Sequence, residues 1–322
     1  MKISKVNNIQ PDKRTFRPNT DLVLSRRDIG IEIEAEGFMG DFHEPPTLWT
    51  LVPDGSLRDG GVELVSTILR GEDISIALTN AEEFVKKKGL VFNDRCSVHI
   101  HLDVRGLDTE ELIFLLSMYT LFEDFFFIKG GSKDRALNNH CRPICSSTSL
   151  YPNIKNLFSQ SREEVYSALS NWSKYTALNL APVLTQGSIE FRHHVGTGSK
   201  EEILQWINII FSVAHYSKKN KDKGLQETID KVCEDGEDLF NSVFPQCRGE
   251  FSKDLHHSMI ENARYIQIPT NVLHASAEEQ QVENTISTRQ FGDRVQRVRD
   301  IMAAREMASQ GFALTAEENT GA

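Results

Sequence analysis

Hydrophobic and polar residues alternate over four short stretches of the chain. From Asp28 to Gly37, Ile29, Ile31, Ile33 and Ala35 fall on one face and Glu32, Glu34 and Glu36 on the other. That is the period of a half-buried strand. Val62 to Ile68 reads as a second strand, after the turn signal Pro53-Asp54-Gly55. From Cys96 to Val104 the apolar face carries Cys96, Val98, Ile100, Leu102 and Val104, and the polar face Ser97, His99, His101 and Asp103. From Gly187 to Val195, Ile189 and Phe191 oppose Ser188, Glu190, Arg192 and His194.

Elsewhere the spacing is helical. Ile74 to Lys88 predicts a helix with Gly89 as its stop. Asp108 and Glu111 form a capping-box pair for a helix running to about Lys129 and ending at Gly130-Gly131. Ser161 with Glu164, and Ser199 with Glu202, open two more helices in the same way, the second reaching about Tyr216. Residues 224–267 predict further helices. Residues 1–27 read as an irregular basic lead-in, and 132–152 as a polar loop. Residues 271–322 read as a polar tail with a late helix near 288–309, where Phe291, Val295, Val298 and Met302 recur at heptad-like steps. Strands and helices do not alternate strictly. The order therefore predicts an α+β domain over 28–270 with a mostly antiparallel sheet.

Composition narrows the class. The 322 residues, 39% hydrophobic and 25% charged, are an ordinary globular mixture. The longest apolar stretch, Leu112 to Ile128, is broken by Ser117, Thr120, Glu123 and Asp124, so no membrane span is expected. A net charge of −10 argues against a nucleic-acid partner. Five cysteines without a Cys-x-x-Cys pair, and no apolar run behind Met1, point to a reducing cytoplasm.

The polar strand faces carry the candidate chemistry. Glu32 and Glu34 sit two apart on one face, about 7 Å from each other. As ionised groups they repel by about 2 kcal/mol at an effective dielectric near 20. With a third carboxylate, Glu36, the face needs water, basic partners or cations, and it reads either as a solvent-facing strand face or as a site. His99-Ile100-His101 is a metal-ligand spacing that zinc also uses. Glu190 and Arg192 place an acid and a guanidinium on one face, which reads either as a same-face ion pair that stabilises little or as a metal ligand beside a guanidinium that holds phosphate. With Glu63, such strands sharing a sheet would give a surface suited to Mg²⁺ and nucleotide phosphates.

At these residues the chain resembles the amidoligases, a branch of the glutamine-synthetase-like carboxylate–amine ligases. The matching stretches are Gly30-Ile31-Glu32-Ile33-Glu34, Asp54-Gly55-Ser56, Gly61 to Ser66, Val98 to Leu102, Arg135 to Pro143 and Tyr175 to Leu180. They end with Ser188 to Thr197 and Trp206, all in the family's order within 28–210. The family often has an aromatic residue where His140 stands.

The resemblance implies a curved, half-barrel sheet flanked by helices, with ATP and Mg²⁺ at its mouth. It implies Glu32, Glu34, Glu63, His99 and Glu190 as metal ligands. His101, Arg192, Asn179 and Arg142 would lie toward nucleotide, phosphate or substrate, and turnover would depend on Arg192, Glu34 and Glu190. The implied activity joins a small-molecule or peptide carboxylate to an amine through an acyl phosphate. A partner glutaminase and self-association into a homo-oligomer are compatible with that activity. The alternatives are a guanidino-kinase type phosphotransferase on the same fold and a zinc-dependent hydrolase using His99 and His101. Cys141, between His140 and Arg142, reads as structural or substrate-lining and not as a nucleophile.

Overall fold

Each of the four alternating stretches forms a strand in the computed structural model, which describes residues 1–7, 9, 27–131, 135–146, 153, 156, 157 and 161–271. They are β1 (Ile29–Ala35), β3 (Val62–Ser66), β4 (Ser97–Asp103) and β6 (Ser188–Val195). Two shorter strands complete the sheet: β2 (Trp49–Pro53) and β5 (Leu178–Asn179). The order is β2-β3-β1-β4-β6-β5. Every neighbouring pair is antiparallel. The sheet is open, with β2 and β5 at its edges, and does not close into a barrel.

One sheet face is apolar because the strands alternate in phase. Ile29, Ile31, Ile33, Val98, Ile100, Leu102, Ile189 and Phe191 are all at most 1% exposed. Helices cover this face: α2 (Glu72–Lys88), α3 (Thr109–Leu121), α4 (Glu123–Lys129) and α7 (Lys200–Asn220). Shorter helices are α1 (Ile3–Asn7), α5 (Arg162–Ser170) and α6 (Pro182–Thr185). Two more, α8 (Gly224–Val243) and α9 (Lys253–Asn271), form an outer layer. Because α3 packs against α7 on one side and α9 on another, it is buried nearly all round, as its mostly apolar sequence requires.

The caps act as their sequences predict. Asp108 accepts from the Glu111 amide at 2.8 Å and Glu111 returns to the Asp108 amide at 2.9 Å. Gly89 ends α2 in the left-handed region at φ 65°. The helix expected to run unbroken to Lys129 instead breaks at Phe122, whose ring packs against Phe240 and Phe244. The break starts a new helix at Glu123, and its buried carboxylate accepts the Ile144 and Cys145 amides at 2.6 and 3.1 Å. The lead-in is not wholly irregular. Its first residues form α1, and Ile3 and Val6 are buried in the core. The late helix near 288–309 lies outside the described residues.

Candidate active site

Strand register brings the polar positions together on the face opposite the core. Glu34 pairs with Glu63 across β1 and β3, and Glu32 with His99 across β1 and β4. His101 pairs with Glu190 across β4 and β6, and Glu190 with Asn179 across β6 and β5. Directly opposed residues on antiparallel strands share a face and lie about 5 Å apart at Cβ. Five strands thus supply one contiguous polar patch.

Glu32 is its centre. One carboxylate oxygen lies 3.2 Å from His99 Nδ1 and the other 3.2 Å from His101 Nε2. His99 Nδ1 is also 3.3 Å from Glu190, and its Nε2 is 3.8 Å from Glu34. Ser97 bridges the two, donating to Glu34 and standing 2.9 Å from His99 Nε2. Asn179 donates to Glu190 at 2.7 Å, and Arg192 donates to the other Glu190 oxygen. His101 Nδ1 faces the Ser188 hydroxyl at 3.1 Å. Two sets of donor atoms lie within 4.8 Å of one another and could each hold a metal ion: Glu32, Glu63 and His99, and Glu32, His101 and Glu190.

The charge balance follows from this crowding. Burial pushes the Glu63 carboxyl up to about 8, and the nearby Glu32, Glu34, Asp54 and Glu190 push in the same direction. Burial would raise Glu32 too, but hydrogen bonds from His101 and His99 outweigh it and hold the carboxyl low. Burial alone would lower His101; its contacts with Glu32 and Glu190 raise it.

Four of the five residues expected as metal ligands, Glu32, Glu63, His99 and Glu190, fall within these two sets, while Glu34 lies beside them, 3.8 Å from His99 Nε2. His101, expected on the nucleotide side, lies within ligating distance as well. Arg192 is held between Glu190 and the His140 carbonyl, which accepts from its Nε at 3.2 Å. Arg142 is joined differently. Its backbone bonds to Tyr175 and Ala177 beside β5, while its exposed side chain makes no hydrogen bond or ion pair among the described residues. Glu36 stands apart from the patch. Its carboxylate takes two bonds from Arg95 at 2.9 and 2.8 Å and one from Asn93 at 2.6 Å. His194 does not share the face of Glu190. Val98 pairs with His194 but Ile100 with Phe191, so β6 spends three residues where β4 spends two. This bulge turns His194 to the helix side, against Trp206.

Cys141 is fully buried, and burial pushes its thiol up to about 11. It donates to the Arg192 carbonyl at 3.3 Å. Sequence reasoning placed Ser97 and Ser188 on the polar faces without seeing their use: each orients a histidine. Beside the patch, a cleft of about 370 Å³ is walled by Gly30, Glu32, Ser66, Ile68, His101 and Arg105, among others. Gly30, opposite His101, is part of its wall.

An open antiparallel sheet with helices on one face and a carboxylate–histidine–arginine cluster on the other defines an α+β protein with an enzyme-like polar centre. A family model of amidoligase enzymes matches residues 32–214, more than half of the chain, and the chain belongs to that family, which is of the ligase type. The match opens on Glu32 and closes within α7. No curated protein matches the chain. No helix among the described residues is long and apolar enough to cross a membrane.

Proposed function

We propose that this protein is an ATP- and Mg²⁺-dependent carboxylate–amine ligase of the glutamine-synthetase-like kind. Glu63 carries the reading. Its carboxyl is pushed up to about 8 by burial and by Glu32, Glu34, Asp54 and Glu190. Glu32, Glu34, Glu63 and Glu190 crowd one patch, and the charge imbalance among them adds to burial in raising Glu63. A divalent cation removes that imbalance. His101 adds to the fit: its buried Nε2 stands 3.2 Å from Glu32, in one of the two donor sets. Glu32, Glu34, Glu63, His99 and Glu190 would hold Mg²⁺, with His101 beside them. When bound, the ion supplies charge neutralisation at phosphate oxygens.

The chain's own groups do the rest. The cleft over Gly30 takes the nucleoside, with the phosphates directed past His101 toward Arg192. Asn179 and Arg192 hold Glu190 in place, and Arg192 also offers its guanidinium to the transferring phosphoryl group. A substrate carboxylate oxygen attacks the γ-phosphorus; that O–P bond forms as the bond to the ADP oxygen breaks. The amine then attacks the acyl carbon, and phosphate leaves with the electron pair. The amine's proton passes to a carboxylate of the site.

Phosphorus NMR of a reaction with ATP, Mg²⁺ and pooled amino acids and peptides tests this reading. Equal growth of ADP and free phosphate, dependent on the pool, is expected. A stable phosphorylated nitrogen product would replace it with the guanidino-kinase alternative.

A further inference from the structure

Arg192 lies in the bulge of β6, and the Ala177 amide opposite it donates to the Arg142 carbonyl at 2.7 Å, which leaves the Arg192 carbonyl without its ladder donor. A backbone acceptor freed in this way needs another donor. Two arrive from below: Arg135 Nη2 at 2.8 Å and Cys141 Sγ at 3.3 Å. Arg135 is 5% exposed. Among the described residues it pairs with no carboxylate, and its Nε has no hydrogen-bond partner. A buried guanidinium held this way is expensive for mere packing.

The surrounding contacts share one direction. The Arg192 amide donates to the Ala177 carbonyl at 2.9 Å, and its Nε donates to the His140 carbonyl at 3.2 Å. Arg135, His140 and Cys141 belong to one segment. Glu123 anchors the end of that segment through the Ile144 and Cys145 amides, and Ala177 N bonds to the Arg142 carbonyl at 2.7 Å. The segment therefore grips Arg192 twice: at its carbonyl from inside and at its guanidinium from the rim.

We infer that Arg135 is a positioning residue. Its guanidinium fixes the bulged backbone at Arg192 so that the Arg192 side chain stays between Glu190 and the His140 carbonyl. Cys141 is the weaker second donor. This rests on the reading of Arg192 as a phosphoryl contact, since positioning matters to turnover only if Arg192 acts there.

The test joins kinetics to a signal independent of activity. Arg135→Met should lower kcat about 10- to 100-fold and move the KM for ATP less than about threefold, as misplacement of a reacting group does. In an Arg192→Ala background the same change should cost less than about twofold more, because coupled residues are not additive. The Arg192 Nε–H resonance, assigned by its loss in Arg192→Lys, should broaden or vanish in Arg135→Met while circular dichroism stays unchanged. An unaltered Nε–H signal, or a full additive loss in the double variant, would overturn the inference. If Arg135→Met does not fold, Cys141→Ala takes its place, with the same signal weakened and kcat about threefold lower. An unchanged signal there contradicts the proposal equally. If the wild-type protein turns over no ATP, the ligase reading fails, and the resonance still decides the positioning.

Discussion

Glu32 faces His99 across the β1–β4 ladder, with Oε2 3.2 Å from His99 Nδ1, while its other oxygen reaches His101 Nε2 at the same distance. One carboxylate thus belongs to both sets of donor atoms that could hold a metal ion. Glu32→Gln keeps the shape and removes the shared charge. It should weaken Mn²⁺ binding, followed by calorimetry, by more than about 100-fold, since even outer partners of a metal site are worth 10- to 100-fold. Unchanged Mn²⁺ affinity would remove Glu32 from the metal site.

Glu63 sits opposite Glu34 and close to three other carboxylates. With no divalent ion present, that neighbourhood is repulsive. Glu63→Gln in EDTA should therefore raise the melting temperature, by about 2–4 °C if roughly 1 kcal/mol of repulsion is relieved. Adding Mg²⁺ should reverse the order. The wild type gains about 2.7 kcal/mol at 100 times its dissociation constant, and the variant gains less than half of that. A variant less stable than wild type in EDTA would show that Glu63 forms a favourable bond instead.

Glu36 is a structural carboxylate, so its effect is on stability. Bonds from Arg95, then from the Arg58 amide and Asn93, hold its carboxyl down to about 2 against the opposing pull of burial. A carboxyl depressed in the fold binds its proton more weakly there than in the unfolded chain, where its pKa is about 4.3. Its stabilisation is present above that value and is lost as pH falls toward 2. The gap in urea midpoint between wild type and Glu36→Gln should be full at pH 6 and shrink steadily below pH 4. A gap constant from pH 6 to pH 3 would contradict the Arg95 pairing.

Much of this site was legible in the sequence because half-buried strands carry their own register. Glu32, His99, Glu190 and their apolar neighbours alternate with a period of two, so each strand declared which residues share a face. Glu36 belonged to that alternation as well, but Arg95, far along the chain, claims it, and no local pattern could show that. The bulge hid His194, because one extra residue reverses the facing of all that follow. Strand β2 is only five residues long at a sheet edge and β5 only two. Two residues sustain no period, and β2 runs into Pro53, the first residue of the stretch that reads as a turn signal. The break at Phe122 was invisible for the opposite reason. A helix buried on all sides has no polar face to mark where it stops, and the packing of Phe122 on Phe240 and Phe244 decides it.

The central claim is that a carboxylate is activated as an acyl phosphate on this patch. The most direct measurement is hydroxamate formation by purified protein given ATP, Mg²⁺, hydroxylamine and pooled amino acids and peptides. The account predicts hydroxamate and ADP in equal amounts, lost in Glu190→Ala and in EDTA. ADP formation without hydroxamate, or no ATP consumption together with no ATP binding by calorimetry, would contradict it.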